Sequence, residues 1–116
     1  MLEALDDPDP ETRVDAVFWI DLEGGALEQL VSMLESDPDA EVRASIVDRL
    51  GDEESPAATA AVTTALRDRE PEVVLRAIEV LEFDGGDWLI PELERLLSHP
   101  DPEVREAAED SLLYLK

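Results

Sequence analysis

Apolar residues in this chain recur at helical spacing, and the same pattern returns along its length. Val42, Ile46 and Leu50 fall on one stripe, as do Val73, Ala77 and Leu81, and Val104, Ala108 and Leu112; Thr12, Ala16 and Ile20 form a looser version. Residues four apart share a helix face, so each series predicts an amphipathic helix with one buried side. Three further stretches of the same kind lie between them. They run from Ala26 to Glu35 with Leu27, Leu30, Val31 and Leu34, from Pro56 to Arg67 with Ala58, Ala61, Val62, Ala65 and Leu66, and from Trp88 to Ser98 with Leu89, Leu93, Leu96 and Leu97. Gly24-Gly25, Gly51 and Gly85-Gly86 separate the two kinds of stretch, as glycines in the left-handed conformation that ends a helix.

The first series also shares a start signal. DPDPETRVDAV from Asp7, DPDAEVRASIV from Asp37, DREPEVVLRAI from Asp68 and HPDPEVREAAE from His99 align without gaps, and their glutamates Glu11, Glu41, Glu72 and Glu103 are spaced 30, 31 and 31 residues apart. Asp9, Asp39, Glu70 and Asp101 take the N-cap position, where a carboxylate accepts from free backbone N–H groups; Glu70 is the poorest of them. Pro10, Pro71 and Pro102 follow at the first helical position, which needs no N–H, and the aligned glutamates favour the positive end of the helix dipole. Ser55 before Pro56 repeats the signature, and Pro91 falls in a first turn, where it is tolerated. Two antiparallel helices per 31-residue unit, stacked in one direction, make an all-α superhelix, an α-solenoid of about 3.5 repeats. The single domain spans 1–116, with units at roughly 1–21, 25–50, 56–82 and 87–115. Met1 to Asp6 supplies only the end of a first helix, with Leu2 and Leu5 as its apolar remnant.

The repeated pieces resemble the HEAT-repeat superfamily, especially the short form named after phycobilisome lyases, whose repeats carry an Asp and then Val-Arg five and six residues later. Asp7 with Thr12-Arg13 and Asp37 with Val42-Arg43 match. The third repeat has Asp68 and Val73 but Val74 in place of Arg, and the fourth has Val104-Arg105 but His99 in place of Asp. The resemblance implies that Asp7, Arg13, Asp37, Arg43, Asp68 and Arg105 belong to a hydrogen-bonded ladder joining neighbouring repeats rather than to a catalytic centre. Val74 breaks that ladder. Arg76, two residues on and turned about 200° away, does not replace it, which leaves either a looser third interface or an arginine freed for binding.

The resemblance further implies that the second helices line a concave face. Positions away from the buried stripe align into rows: Val14, Ala44, Leu75, Glu106; Asp15, Ser45, Arg76, Ala107; Phe18, Asp48, Glu79, Asp110; Leu22, Asp52, Phe83, Tyr114. Together they describe an acidic groove with apolar points at Phe18, Leu75 and Phe83, the pattern of a partner surface. The candidate binding residues are Val14, Asp15, Phe18, Ser45, Asp48, Leu75, Arg76, Glu79 and Asp110. A packing role for Phe18 against the N-terminal remnant, and a loop-closing role for Leu22, Phe83 and Tyr114, remain open beside this reading. Trp19, next to the core stripe, and Trp88, at a helix start, are read as packing residues.

Charge narrows the partner. Nine basic residues against 31 acidic ones leave a net charge of −22 among 116 residues, while a hydrophobic share of 44% provides a core and argues against disorder. So negative a field repels nucleic acid and anionic membranes and favours a basic protein or peptide. Eight of the nine basic residues are Arg and the only Lys is Lys116; an acidic, lysine-poor surface suits a protein kept soluble in high salt, a halophile hypothesis tested by unfolding across salt. No segment reads as a signal peptide or a membrane span, and the absence of cysteine points to a cytoplasmic compartment.

No cofactor or metal is expected. Cysteine chemistry is excluded, and His99 stands alone before Pro100. The acidic clusters Asp6-Asp7-Pro8-Asp9, Asp52-Glu53-Glu54 and Asp84-Gly85-Gly86-Asp87 lack the ligand spacing of a calcium loop. Metal-dependent hydroxylases and alkyl-base glycosylases of the wider superfamily need His-Glu pairs or a basic groove that this sequence lacks. The leading expectation is a non-enzymatic scaffold binding a protein or peptide. The alternatives are an accessory or lyase-type protein acting on a chromophore or other modified protein, and a segment of a longer solenoid or a homo-oligomer that self-associates through uncapped ends.

Overall fold

The computed structural model describes residues 5–22, 25–53, 55–84 and 86–115, and among them all regular structure is helical. The helices are α1 (Pro10–Trp19), α2 (Ala26–Ser36), α3 (Ala40–Gly51), α4 (Pro56–Ala65), α5 (Pro71–Asp84), α6 (Leu89–Leu96) and α7 (Pro102–Leu115). The second helices form one layer, α1 on α3, α3 on α5 and α5 on α7; α2 packs on α4 in the other, and α2, α4 and α6 each pair with the helix that follows. The protein is an all-α solenoid.

The start signals act as their chemistry requires. Asp39 Oδ1 accepts from the backbone N–H groups of Glu41 and Val42 at 2.9 and 3.1 Å, Asp101 does the same for Glu103 and Val104, and Asp9 accepts from Glu11. Ser55 Oγ accepts from the Ala58 N–H. The Asp two residues before each cap folds its own loop: Asp7, Asp37 and Asp68 each accept, through Oδ1, the N–H two residues on at 2.9 Å. His99 imitates them, its Nδ1 accepting from the Asp101 N–H at 3.0 Å.

Several local expectations need correction. Thr12 is only half-buried; Ala16 and Ile20 are buried as the stripe predicts, and Arg13 and Val17 are buried beside them. Gly25 does adopt the left-handed conformation, with φ 89°, but it begins α2 rather than ending a helix. Gly51 is the last residue of α3, with no positive φ. Its value is its size, because the Val80 methyls lie 2.8 and 2.9 Å from where a Cβ would stand. Leu5 is buried; Leu2, Gly24 and Gly85 lie outside the described residues.

Leu30, Val42, Ile46, Val62, Val73, Ala77, Leu89, Leu93, Val104 and Ala108 run through the core between the layers. Each buried Val, Leu or Ile side chain contributes about 1.5–3 kcal/mol of transfer free energy. Between repeats, this apolar packing is supplemented by two polar clamps. Arg13 Nε and Nη2 grip the two oxygens of Asp37 at 2.9 and 3.1 Å, while Nη1 donates to the Asp7 carbonyl at 2.8 Å. Arg43 repeats the geometry one unit on, holding Asp68 at 2.9 and 3.1 Å and the Asp37 carbonyl at 2.7 Å. The side-chain hydrogen bond of Arg13 to Asp37 is the main cause raising the Arg13 pKa above its ordinary value. Each arginine thus ties its own loop to the loop of the next repeat.

Candidate functional site

Along the second helices, two hollows adjoin. The smaller, about 300 Å³, lies between α1 and α3 and is lined by Val14, Val17, Phe18, Ser45, Asp48, Arg49 and Asp52. The larger, about 530 Å³, takes its walls from α3, α4 and α5, among them Asp48, Asp52, Glu53, Thr59, Glu79, Val80 and Phe83. Asp48 and Asp52 border both. A further small hollow, between Phe83 and Tyr114, carries the strip to α7.

The structure therefore brings Val14, Phe18, Ser45 and Asp48 around one hollow and Asp48 and Glu79 around the next. The other candidates fall differently. Asp15 and Asp110 are exposed on α1 and α7, and Leu75 is half-buried against the core. Ser45 spends its hydroxyl proton on the Val42 carbonyl at 2.7 Å. Arg76 is not free: its Nη1 donates to Asp48 Oδ2, tying α5 to α3 across the strip. Arg49 is also engaged, Nη2 donating to the Ile20 carbonyl at 2.6 Å. The carboxylates of Asp52, Glu53 and Glu79 thus border the hollows with no cation bound to them among the described residues.

Aromatic side chains are more exposed than packing roles allow. Phe18 is 68% and Phe83 94% exposed. Trp19, read as a packing residue next to the core stripe, is 71% exposed and meets Phe18 edge-on with ring centroids 5.0 Å apart. Trp88 also reaches solvent, beside a fourth hollow along α4. Helical periodicity identifies the side of a helix but not whether a neighbour covers it: Trp19 meets only the Phe18 ring, and Trp88, lying over Gly86, is covered in part. Asp52 and Phe83 were legible as members of the Leu22 row, whereas Glu53 and Thr59 come from outside the second helices and carry no signal in the repeat.

Paired helices, stacked in one direction and clamped Arg to Asp from loop to loop, define a short-repeat α-solenoid. Residues 1–82 match the family description HEAT repeats and residues 89–115 match HEAT repeat; the chain belongs to the HEAT repeat family. No curated protein matches it. HEAT repeats are commonly protein-interaction scaffolds, and proteins built from them are typically non-enzymatic. Among the described residues no helix is long and apolar enough to cross a membrane.

Proposed function

We propose that this protein is a non-enzymatic scaffold whose second-helix face, the concave side of the solenoid, binds a basic, partly apolar segment of another protein. One observation carries the reading: two hollows share Asp48 and Asp52, have Glu53 and Glu79 on their walls, and are flanked by the exposed rings of Phe18 and Phe83. Such a strip offers carboxylates to Lys or Arg and an aromatic face to an apolar or cationic side chain. A net charge of −22 steers a cationic partner inward and turns nucleic acid away. The register of Asp7 with Thr12-Arg13 and of Asp37 with Val42-Arg43 supports kinship with the phycobilisome-lyase type of repeat, and the cysteine-free composition fits a cytoplasmic setting.

Titration of the chain with a peptide carrying two arginines and one leucine, followed by calorimetry at several salt concentrations, tests this. Phe18→Ala weakens binding about tenfold or more, as truncation of an anchor does, with little loss of stability because the ring is exposed. Glu79→Gln weakens it less and flattens its salt dependence. Equal affinity of the wild type and both variants for the peptide would place binding elsewhere.

A further inference from the structure

Arg105 is half of a clamp. Its Nη1 donates to the carbonyls of His99 and Pro100 at 2.8 and 3.1 Å, as Arg13 Nη1 does to Asp7 and Arg43 Nη1 to Asp37. In those two arginines Nε and Nη2 then close on an aspartate of the following repeat. In Arg105 the same two donors have no partner among the described residues, and the side chain is exposed. Asp7 is the complementary half. Its Oδ1 folds the loop as in Asp37 and Asp68, but no arginine among the described residues holds its carboxylate.

The apolar surface at the two ends fits the same arrangement. Trp19 aligns with Arg49, Val80 and Ser111, and this row faces the preceding repeat: Arg49 bonds the Ile20 carbonyl, and Val80 lies on Gly51. Gly51 in turn aligns with Leu113. A solenoid end that meets a preceding unit therefore presents Trp19, and one that meets a following unit presents Leu113; both are more than two-thirds exposed. Polar and apolar halves are matched in the same register.

We propose that a second copy of this chain docks head to tail on the α7 end, with Arg105 of one copy gripping Asp7 of the next and Leu113 meeting Trp19. The second-helix layer then continues from α7 onto α1 as it runs within the chain. Such a contact is heterologous, so it propagates into rings or filaments rather than stopping at a symmetric dimer. The charge of −22 on each copy opposes it at low ionic strength. Screening, which shortens from about 10 Å at 0.1 M to about 3 Å at 1 M salt, relieves this general repulsion more than it weakens a partly buried clamp.

Sedimentation equilibrium of the 116-residue chain from 0.1 to 2 M NaCl tests the proposal. Association that strengthens with salt supports it. Arg105→Asp weakens association about tenfold or more, as does Asp7→Arg, each with unchanged helical circular dichroism. An equimolar mixture of the two variants regains pairing, since an intact Arg105 end on one meets an intact Asp7 end on the other, and Leu113→Glu weakens association without touching the clamp. Neither end variant alters peptide binding at the Phe18 strip, so failure here and failure of the scaffold reading are told apart. A wild-type chain that stays at 12.8 kDa throughout, or an Arg105→Asp variant that associates like it, overturns the proposal.

Discussion

The first two joints of the solenoid and the third solve the same problem with different chemistry. Between α1 and α3, and between α3 and α5, an arginine is sunk into the contact and holds the loop aspartate of the next repeat through two bonds. Between α5 and α7 both partners have changed together. Val74 fills the arginine's place and is fully buried, and His99 replaces the aspartate while keeping its turn-forming acceptor. Arg67, in the turn after α4, does reach Glu92 of α6 at 3.5 Å, but the arginine is largely exposed and the contact is worth at most about 1 kcal/mol. A buried ion pair adds little net stability but fixes geometry, since either charge alone is expensive to bury. The comparison teaches that clamps set the register of these repeats, while apolar packing alone suffices to hold them together.

Breaking a clamp has the largest expected effect. Arg43→Ala takes the guanidinium from the part-buried Asp68 carboxylate, which keeps only the Glu70 N–H, and from the Asp37 carbonyl, and lowers unfolding stability by about 3–5 kcal/mol in urea titrations. A loss under about 1 kcal/mol would mean that the clamp is ornamental. Removing a helix cap is milder: Asp39→Ala deprives the Glu41 and Val42 N–H groups of their acceptor and costs about 1 kcal/mol by the same measurement. Arg76→Ala has the smallest effect. Its pair with Asp48 is substantially exposed, so the change in stability is below about 1 kcal/mol and fades as salt is added.

The sequence announced much of this and concealed the rest for identifiable reasons. Period, caps and core stripes are local features written in four registered copies, and the departures at Val74 and His99 stood out against them. The pairing of Arg76 with Asp48 did not, because helical spacing relates residues on one helix and says nothing of the offset between two. Trp19 and Trp88 were misjudged for a related reason: burial depends on what lies across the helix, which a repeat pattern leaves unstated at the ends of a stack. Glu53 and Thr59 enter the strip only because α4 folds back beside α3, and the exposure of Phe83 beside Tyr114 depends on cover that helical spacing does not state.

The double-mutant cycle at positions 74 and 99 tests most directly whether a positional code joins one repeat to the next. Val74→Arg alone buries a charge with nothing to hold and destabilises the protein, whereas adding His99→Asp rebuilds the clamp seen twice upstream. The account predicts a favourable coupling of about 1–3 kcal/mol between the two substitutions. Strict additivity, with the double variant as unstable as the sum of the single ones, would contradict it.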